Sequence, residues 1–202
     1  MRKIAVYGGT FNPIHNGHIH LAEQFKKLIG FDKVVLIPTN VPPHKEALML
    51  ASAGDRLQMC RLAALDAGFE VSDMEIKRSG RSYTADTLEL LKKQEPEAEF
   101  YLMMGEDMFL TLLSWRRPDK ILKLSTICAA PRSWQGLKKL EEYAEKLKER
   151  GGRVVLGDIE YLPVSSTMVR DCIREGKDVA GLVPRGVAEY IKTKHLYEES
   201  LL

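Results

Sequence analysis

Residues 3–25 read KIAVYGGTFNPIHNGHIHLAEQF, and the order of events within them decides the architecture. KIAVY is a short β-rich run that ends on Gly8-Gly9. From Gly17 onward Leu21, Phe25 and Leu28 fall at helical spacing, and Gly30 closes the helix. Gly8 and Gly9 remove side chains where the strand ends, so backbone N–H groups can approach a ligand there. The helix directs its positive end to the same place, which favours an anion.

The same order recurs along the chain. KVVLIP (33–38) is a buried-strand pattern stopped by Pro38, and 39–53 is a loop broken at Pro42-Pro43. Residues 55–66 read as a helix with Leu57, Cys60 and Ala64 on one face, and FEVSDMEIKR (69–78) alternates as a strand does. Thr84 is placed to N-cap a helix carrying Leu88 and Leu91 inward. EFYLMMG (99–105) and TICAAP (126–131) are strands ended by glycine and proline. Leu137–Arg150 is a charged amphipathic helix followed by RVVLG; Ser165 or Ser166 caps a helix bearing Val169, Cys172 and Ile173. Pro184 sits in the first turn of a last helix through Val187, Tyr190 and Ile191.

Strands alternating with helices predict an α/β fold, a doubly wound, mostly parallel sheet with helices on both faces. No linker, repeat or low-complexity block interrupts it, so one domain over 1–202 is expected. In such sheets ligands bind beyond the carboxyl ends of the strands. GGTFNPIHNGH (8–18), the 38–46 loop and the Gly105 turn should therefore converge on one crevice.

A formal net charge of +2 gives no global reason to expect a nucleic acid or a membrane as partner. Cys60, Cys128 and Cys172 are odd in number and far apart, which suits a reducing, cytoplasmic compartment. No apolar h-region follows Arg2-Lys3, and no run approaches a membrane span. A homo-oligomer is left open.

His15 and His18, at i and i+3, share a face at the start of the first helix. Imidazole N–H groups can donate to phosphoryl oxygens and gain strength as negative charge develops. Gly17 between them leaves room for a phosphate. Two other readings compete: a metal pair, for which no Cys/His/carboxylate cluster completes a set, and polar residues incidental to a helix cap.

GGTFNPIHNGH resembles the signature of the HxGH nucleotidyltransferase superfamily, whose members join a nucleotide to a phosphate and release pyrophosphate. The longer resemblance is to the bacterial nicotinate-nucleotide adenylyltransferases, and it runs through NVPPHK, RSGRSYTADTL, MMGED, LLSWRRPDKIL and VSSTMVR. It implies a Rossmann-like nucleotidyltransferase fold. The implied reaction takes ATP with Mg2+ and nicotinate mononucleotide to deamido-NAD and pyrophosphate. Alternatives are another superfamily transferase, such as a pantetheine-phosphate adenylyltransferase, or a nucleotide-binding regulatory domain without chemistry.

The resemblance implies roles residue by residue. His18 would serve the α-phosphate and His15 the phosphates around it, with Lys45 and Arg170 as further catalytic cations. Gly8, Gly9, Thr10, Phe11, Gly17, Gly105, Asp107, Ser165, Ser166 and Thr167 would line the ATP site. VSSTMVR (164–170) places hydroxyls at a helix start and a forked cation one turn in, suited to the β- and γ-phosphates. Asn12, His44, Lys45, Ser82, Tyr83, Thr84 and Trp115 would meet the mononucleotide. The N–H groups of Tyr83 and Thr84 suit a carboxylate, and the indole of Trp115 suits a flat ring. Glu106 occupies a position where the family more often has a small residue, and would add a charge at the crevice rim. The 134–152 stretch reads as a solvated helix without chemistry.

Overall fold

In chain order the elements of the computed structural model, which describes residues 1–41, 50–78 and 80–198, are β1 (Lys3–Gly9), α1 (Asn16–Ile29), β2 (Lys33–Pro38), α2 (Ala53–Ala67), β3 (Glu70–Val71), α3 (Met74–Lys77), α4 (Thr84–Gln94), β4 (Glu99–Gly105), α5 (Glu106–Phe109), a 3-10 turn at Leu112–Ser114, α6 (Pro118–Leu124), β5 (Ser125–Ala130), α7 (Trp134–Glu149), β6 (Arg153–Leu156), α8 (Ser166–Arg174) and α9 (Arg185–Thr193). The six strands form one sheet in the order β3-β2-β1-β4-β5-β6. Every pairing is parallel. The chain builds outward from β1 to β3 on one side, then crosses to β4 and builds to β6 on the other. The order reverses between β1 and β4, and that is where an open parallel sheet leaves a crevice at its carboxyl edge.

Alternation along the central strands divides the core. Ala5, Tyr7, Leu36, Met103 and Cys128 face α1, α2, α8 and α9, packing against Phe25, Met59, Val169 and Val187. Ile4, Val6, Ile37, Leu102 and Ile127 face the other way, onto Leu88 of α4, Ile121 of α6 and Leu140 of α7. Both faces of the sheet are thus covered, as the near-continuous apolar strands require. Helix α1 ends at Gly30, whose φ of 71° is the left-handed cap that a residue without Cβ adopts at least cost. Cys60, Cys128 and Cys172 are free thiols.

Three local expectations are corrected. The stretch 69–78 is a two-residue strand followed by the short helix α3. Its alternation changes phase at Ser72-Asp73, where the Ser72 N–H closes on the Leu36 carbonyl and the chain turns. Tyr83, not Thr84, takes the N-cap position of α4, and Pro184 stands as the N-cap of α9, ahead of its first turn. Helices α5 and α6 are too short to show a period in sequence. In 134–152, α7 is solvated on one face only: Leu140, Ala144 and Leu147 are buried.

Candidate active site

The turn between β1 and α1 is built around its two histidines. His15 is the N-cap of α1 in extended backbone, and its N–H donates to Nδ1 of His18 at 3.2 Å. That bond makes Nδ1 of His18 an acceptor, so neutral His18 carries its proton on Nε2. The two imidazoles lie against each other with centroids 3.7 Å apart. Phe11 and Tyr7 present edges to His18 at 5.1 and 5.9 Å. The ring of Phe11 is therefore support beneath His18: it is buried and not a wall of the crevice. Gly9 serves this packing, since a Cβ there would come within 3.0 Å of the Phe11 ring. Gly8 has open space where a Cβ would stand, so only the first glycine keeps the expected clearance. A Cβ on Gly17 would meet His15 Nδ1 at 3.1 Å and the Val164 carbonyl at 3.3 Å.

Both rings are held neutral. Burial pushes His15 down to about 4, with the nearby Arg132 guanidinium adding to the effect. Burial lowers His18 well below the ordinary range, with His15 as the second cause. His15 Nδ1 is buried and has no partner among the described residues. Such an orphan costs about 1–3 kcal/mol, a cost that marks a place arranged for something other than stability.

A pH dependence follows from His15. Unfolded, it binds a proton near its ordinary value of 6.5, and folded only near about 4. Its contribution is complete above pH 6.5 and drains as pH falls towards 4, because the unfolded chain then holds more protons. Ligand-free protein should lose Tm across this window, with a slope from this group of at most about 1.4 kcal/mol per pH unit. His15→Asn should give a shallower loss; identical pH profiles for the two proteins would remove the assignment.

The start of α8 meets that of α1. Ser166 Oγ donates to the Pro13 carbonyl at 2.9 Å, and Arg170 Nη1 donates to the Asn12 carbonyl at 2.7 Å. Arg170 Nη2 donates to Thr167 Oγ1 at 3.2 Å, and Ser165 Oγ accepts from the Met168 N–H. The three hydroxyls are thus not equivalent. Ser165 and Thr167 accept in these bonds and keep a proton to donate to a ligand; Ser166 has placed its proton on Pro13. Asn12 is buried, with Oδ1 receiving the Ala51 N–H and the Tyr197 hydroxyl at 3.0 and 2.8 Å. Its side chain therefore braces the turn from beneath. Thr10 is held through its carbonyl by Arg56 at 2.9 Å.

Across the crevice, Gly105 ends β4 and Asp107 pairs with Arg132 at 2.8 Å. Both side chains are substantially exposed, so the pair is weak and open to exchange for a ligand's groups. Glu106 is a strut: its carboxylate accepts the Arg132 N–H at 2.7 Å and presses on Gly136 of α7, so its charge is engaged rather than free at the rim.

At the end of β2, Val41 bridges to Arg81, and Ser82 Oγ accepts the Asn40 N–H at 3.0 Å. This fastens the start of α4 beside the crevice. Tyr83 caps α4 without a side-chain bond and its carbonyl takes the Asp86 N–H, so the amides of Thr84 and Ala85 are left without a partner among the described residues. The Arg116 guanidinium lies 4.4 Å over the Tyr83 ring, and Arg117 pairs with Asp86 and Glu89 of α4. Trp115 is half-buried against the core, its indole N–H donating to Thr111 Oγ1 at 3.3 Å. With that N–H engaged, the indole has mainly a face to offer. His44 and Lys45 lie outside the described residues.

Sequence reasoning passed over Arg132, Arg56 and Tyr197. Arg132 had a signal: it follows the proline stop of β5, at the carboxyl edge of the sheet. The other two act only through tertiary bonds.

The Cytidylyltransferase-like family model matches residues 6–172. A protein of Dehalococcoides mccartyi designated a probable nicotinate-nucleotide adenylyltransferase is 42% identical over 197 residues, covering 96% of this chain and 97% of that one. One of Neisseria meningitidis with the same designation is 39% identical over 204 residues, covering 98% and 100%. Among solved structures, the Plasmodium falciparum nicotinic acid mononucleotide adenylyltransferase complexed with NaAD superposes with a TM-score of 0.77 at 20% identity, over 98% of each chain. That likeness is one of fold.

Proposed function

This chain belongs to the nicotinate-nucleotide adenylyltransferases, and from that premise we propose that its histidine turn carries adenylyl transfer from MgATP to nicotinate mononucleotide. The products are nicotinate adenine dinucleotide and pyrophosphate. The observation that supports the site assignment is the neutral, closely packed His15–His18 pair where the starts of α1 and α8 meet.

The 5′-phosphate of the mononucleotide is already an anion, so the attack needs no general base. One of its oxygens bonds to the α-phosphorus of ATP; the bond from that phosphorus to the bridging oxygen of pyrophosphate breaks, and the electron pair leaves with pyrophosphate. The protein's share is alignment and charge stabilisation. His18 Nε2–H donates to the α-phosphate, and His15 assists at its neighbours. Arg170, with donors beyond its two internal bonds, and the Ser165 and Thr167 hydroxyls hold the outer phosphates. An arriving triphosphate raises the affinity of both imidazoles for a proton, which strengthens their bonds to it. No group of three His, Cys, Asp or Glu side chains gathers to hold a metal among the described residues. Magnesium would enter with ATP as part of the substrate and supply charge neutralisation on the phosphates.

The test is purified protein with MgATP and either nicotinate or nicotinamide mononucleotide, following dinucleotide and pyrophosphate. Pyrophosphate formed only with phosphopantetheine would move the chain to the pantetheine branch, and none with any acceptor would leave a binding domain. The Thr84 and Ala85 amides at the start of α4, without partners among the described residues, support a choice of acid over amide. A carboxylate accepts two charge-assisted bonds, whereas an amide turns an NH₂ towards one donor and leaves it unpaired, at about 1–3 kcal/mol. The expected preference for the acid is at least about tenfold. Trp115→Ala should weaken both acceptors in similar proportion, because the indole stacks on either ring. Competition between the two mononucleotides measures this; a Trp115→Ala enzyme without preference would move selectivity to the indole.

A further inference from the structure

Arg56 stands in the first turn of α2, and only 1% of it is exposed. A guanidinium there is costly twice over: it has left water, and it sits at the positive end of a helix. An apolar side chain could fill the same volume without either cost. Arg56 has no carboxylate among its hydrogen-bond partners in the described residues; all four bonds go to backbone carbonyls. Nη1 donates to Thr10 at 2.9 Å and to Thr39 at 2.7 Å. Nη2 donates to Asn40 at 2.9 Å and Nε to Ala51 at 3.1 Å.

The addresses of these bonds matter more than their number. Thr10 is the first residue after β1, in the turn that leads to His15. Thr39 and Asn40 are the first residues after β2, and the Asn40 N–H reaches Ser82 beside the α4 cap. Ala51 gives its own N–H to Asn12 Oδ1, so a second path runs from Arg56 to the same turn. One planar group thus joins the phosphate side of the crevice to its mononucleotide side. A planar fork can do this because its N–H directions are fixed; an ammonium on a flexible stem cannot hold four acceptors in a plane.

We propose that Arg56 is a positioning residue for adenylyl transfer, holding the turns after β1 and β2 in register so that ATP and the acceptor phosphate meet in line. This rests on the function proposed above. Misplacing reacting groups by about 1 Å costs on the order of 10²-fold in rate. Arg56→Lys keeps the charge and loses the fork. It should lower kcat about 10- to 100-fold per folded molecule, with a smaller change in either KM.

The experiment measures kcat and both KM values for wild type and Arg56→Lys well below the Tm of the variant, with the folded fraction taken from circular dichroism. The affinity for a non-hydrolysable MgATP analogue is measured by calorimetry on the same samples. Arg56→Gln is carried in parallel at 10 °C, and methylguanidinium is added to Arg56→Ala as a rescue. Activity that falls only with the folded fraction overturns the proposal, as does a kcat within twofold of wild type. If none of the variants folds, Arg56 is a folding residue and the proposal is equally overturned. Recovery of kcat by methylguanidinium beyond the gain in folded fraction supports it. A wild type that binds the analogue but makes no dinucleotide would instead overturn the function proposed above; the Arg56 proposal, being about that transfer, would fall with it, and that outcome is told apart by the wild-type control.

Discussion

His18→Ala should lose about 10²–10³ in turnover, equivalent to about 2.7–4 kcal/mol of transition-state stabilisation, while it folds and binds MgATP within several-fold of wild type. The expectation comes from the ring's surroundings. Its Nδ1 is committed to the His15 N–H, so the one proton it carries is fixed on Nε2. Phe11, Tyr7 and His15 hold the plane of the ring. A donor already oriented when charge develops needs no reorganisation, and this is why its loss appears in kcat more than in binding. Rapid quench of a single turnover separates the chemical step from product release. A near-normal chemical step would take the α-phosphate role away from His18; an unfolded variant would make it a packing residue.

Arg170→Lys is the second large effect, and it should appear in the KM for ATP, raised about tenfold or more, the size expected for a charge-assisted bond of about 1.5–3 kcal/mol. Lysine keeps the charge, but cannot bond Asn12, Thr167 and a phosphate together as the fork does. The KM for the mononucleotide should move far less, because α4 and Trp115 lie elsewhere. Steady-state kinetics with each substrate varied in turn decides it. Unchanged ATP kinetics would reduce Arg170 to a clamp on the Asn12 carbonyl.

The sheet was legible because a parallel strand covered on both faces must be apolar along its length, and KIAVY, KVVLIP and EFYLMMG are. The histidine turn was legible because close packing leaves few sequences that serve it: Gly17 has a ring and a carbonyl where a Cβ would go. The division of work inside the turn was not. Nothing in the pattern distinguishes Gly8, open to the crevice, from Gly9, filled by Phe11. Nor can spacing say that Ser166 has used its proton while Ser165 and Thr167 keep theirs. Arg132 and Glu106 find each other across 26 positions, and their meeting depends on β4 and β5 being neighbours. Arg56 had the least signal, since an arginine in a helix is ordinarily read as surface.

The hydroxyl of Tyr197 reaches Asn12, 185 positions away in the chain. Read as a history rather than a shape, this bond dates the site. Asn12 is synthesised well before Tyr197. Until Tyr197 is made, the turn that carries His15 and His18 lacks one of the two bonds to Asn12 Oδ1, the other coming from Ala51, and it also waits for Arg170. A nascent chain can lay down β1, β2 and β4 in order, yet the histidine turn gains its bonds from Arg170 and Tyr197 only after both have been made.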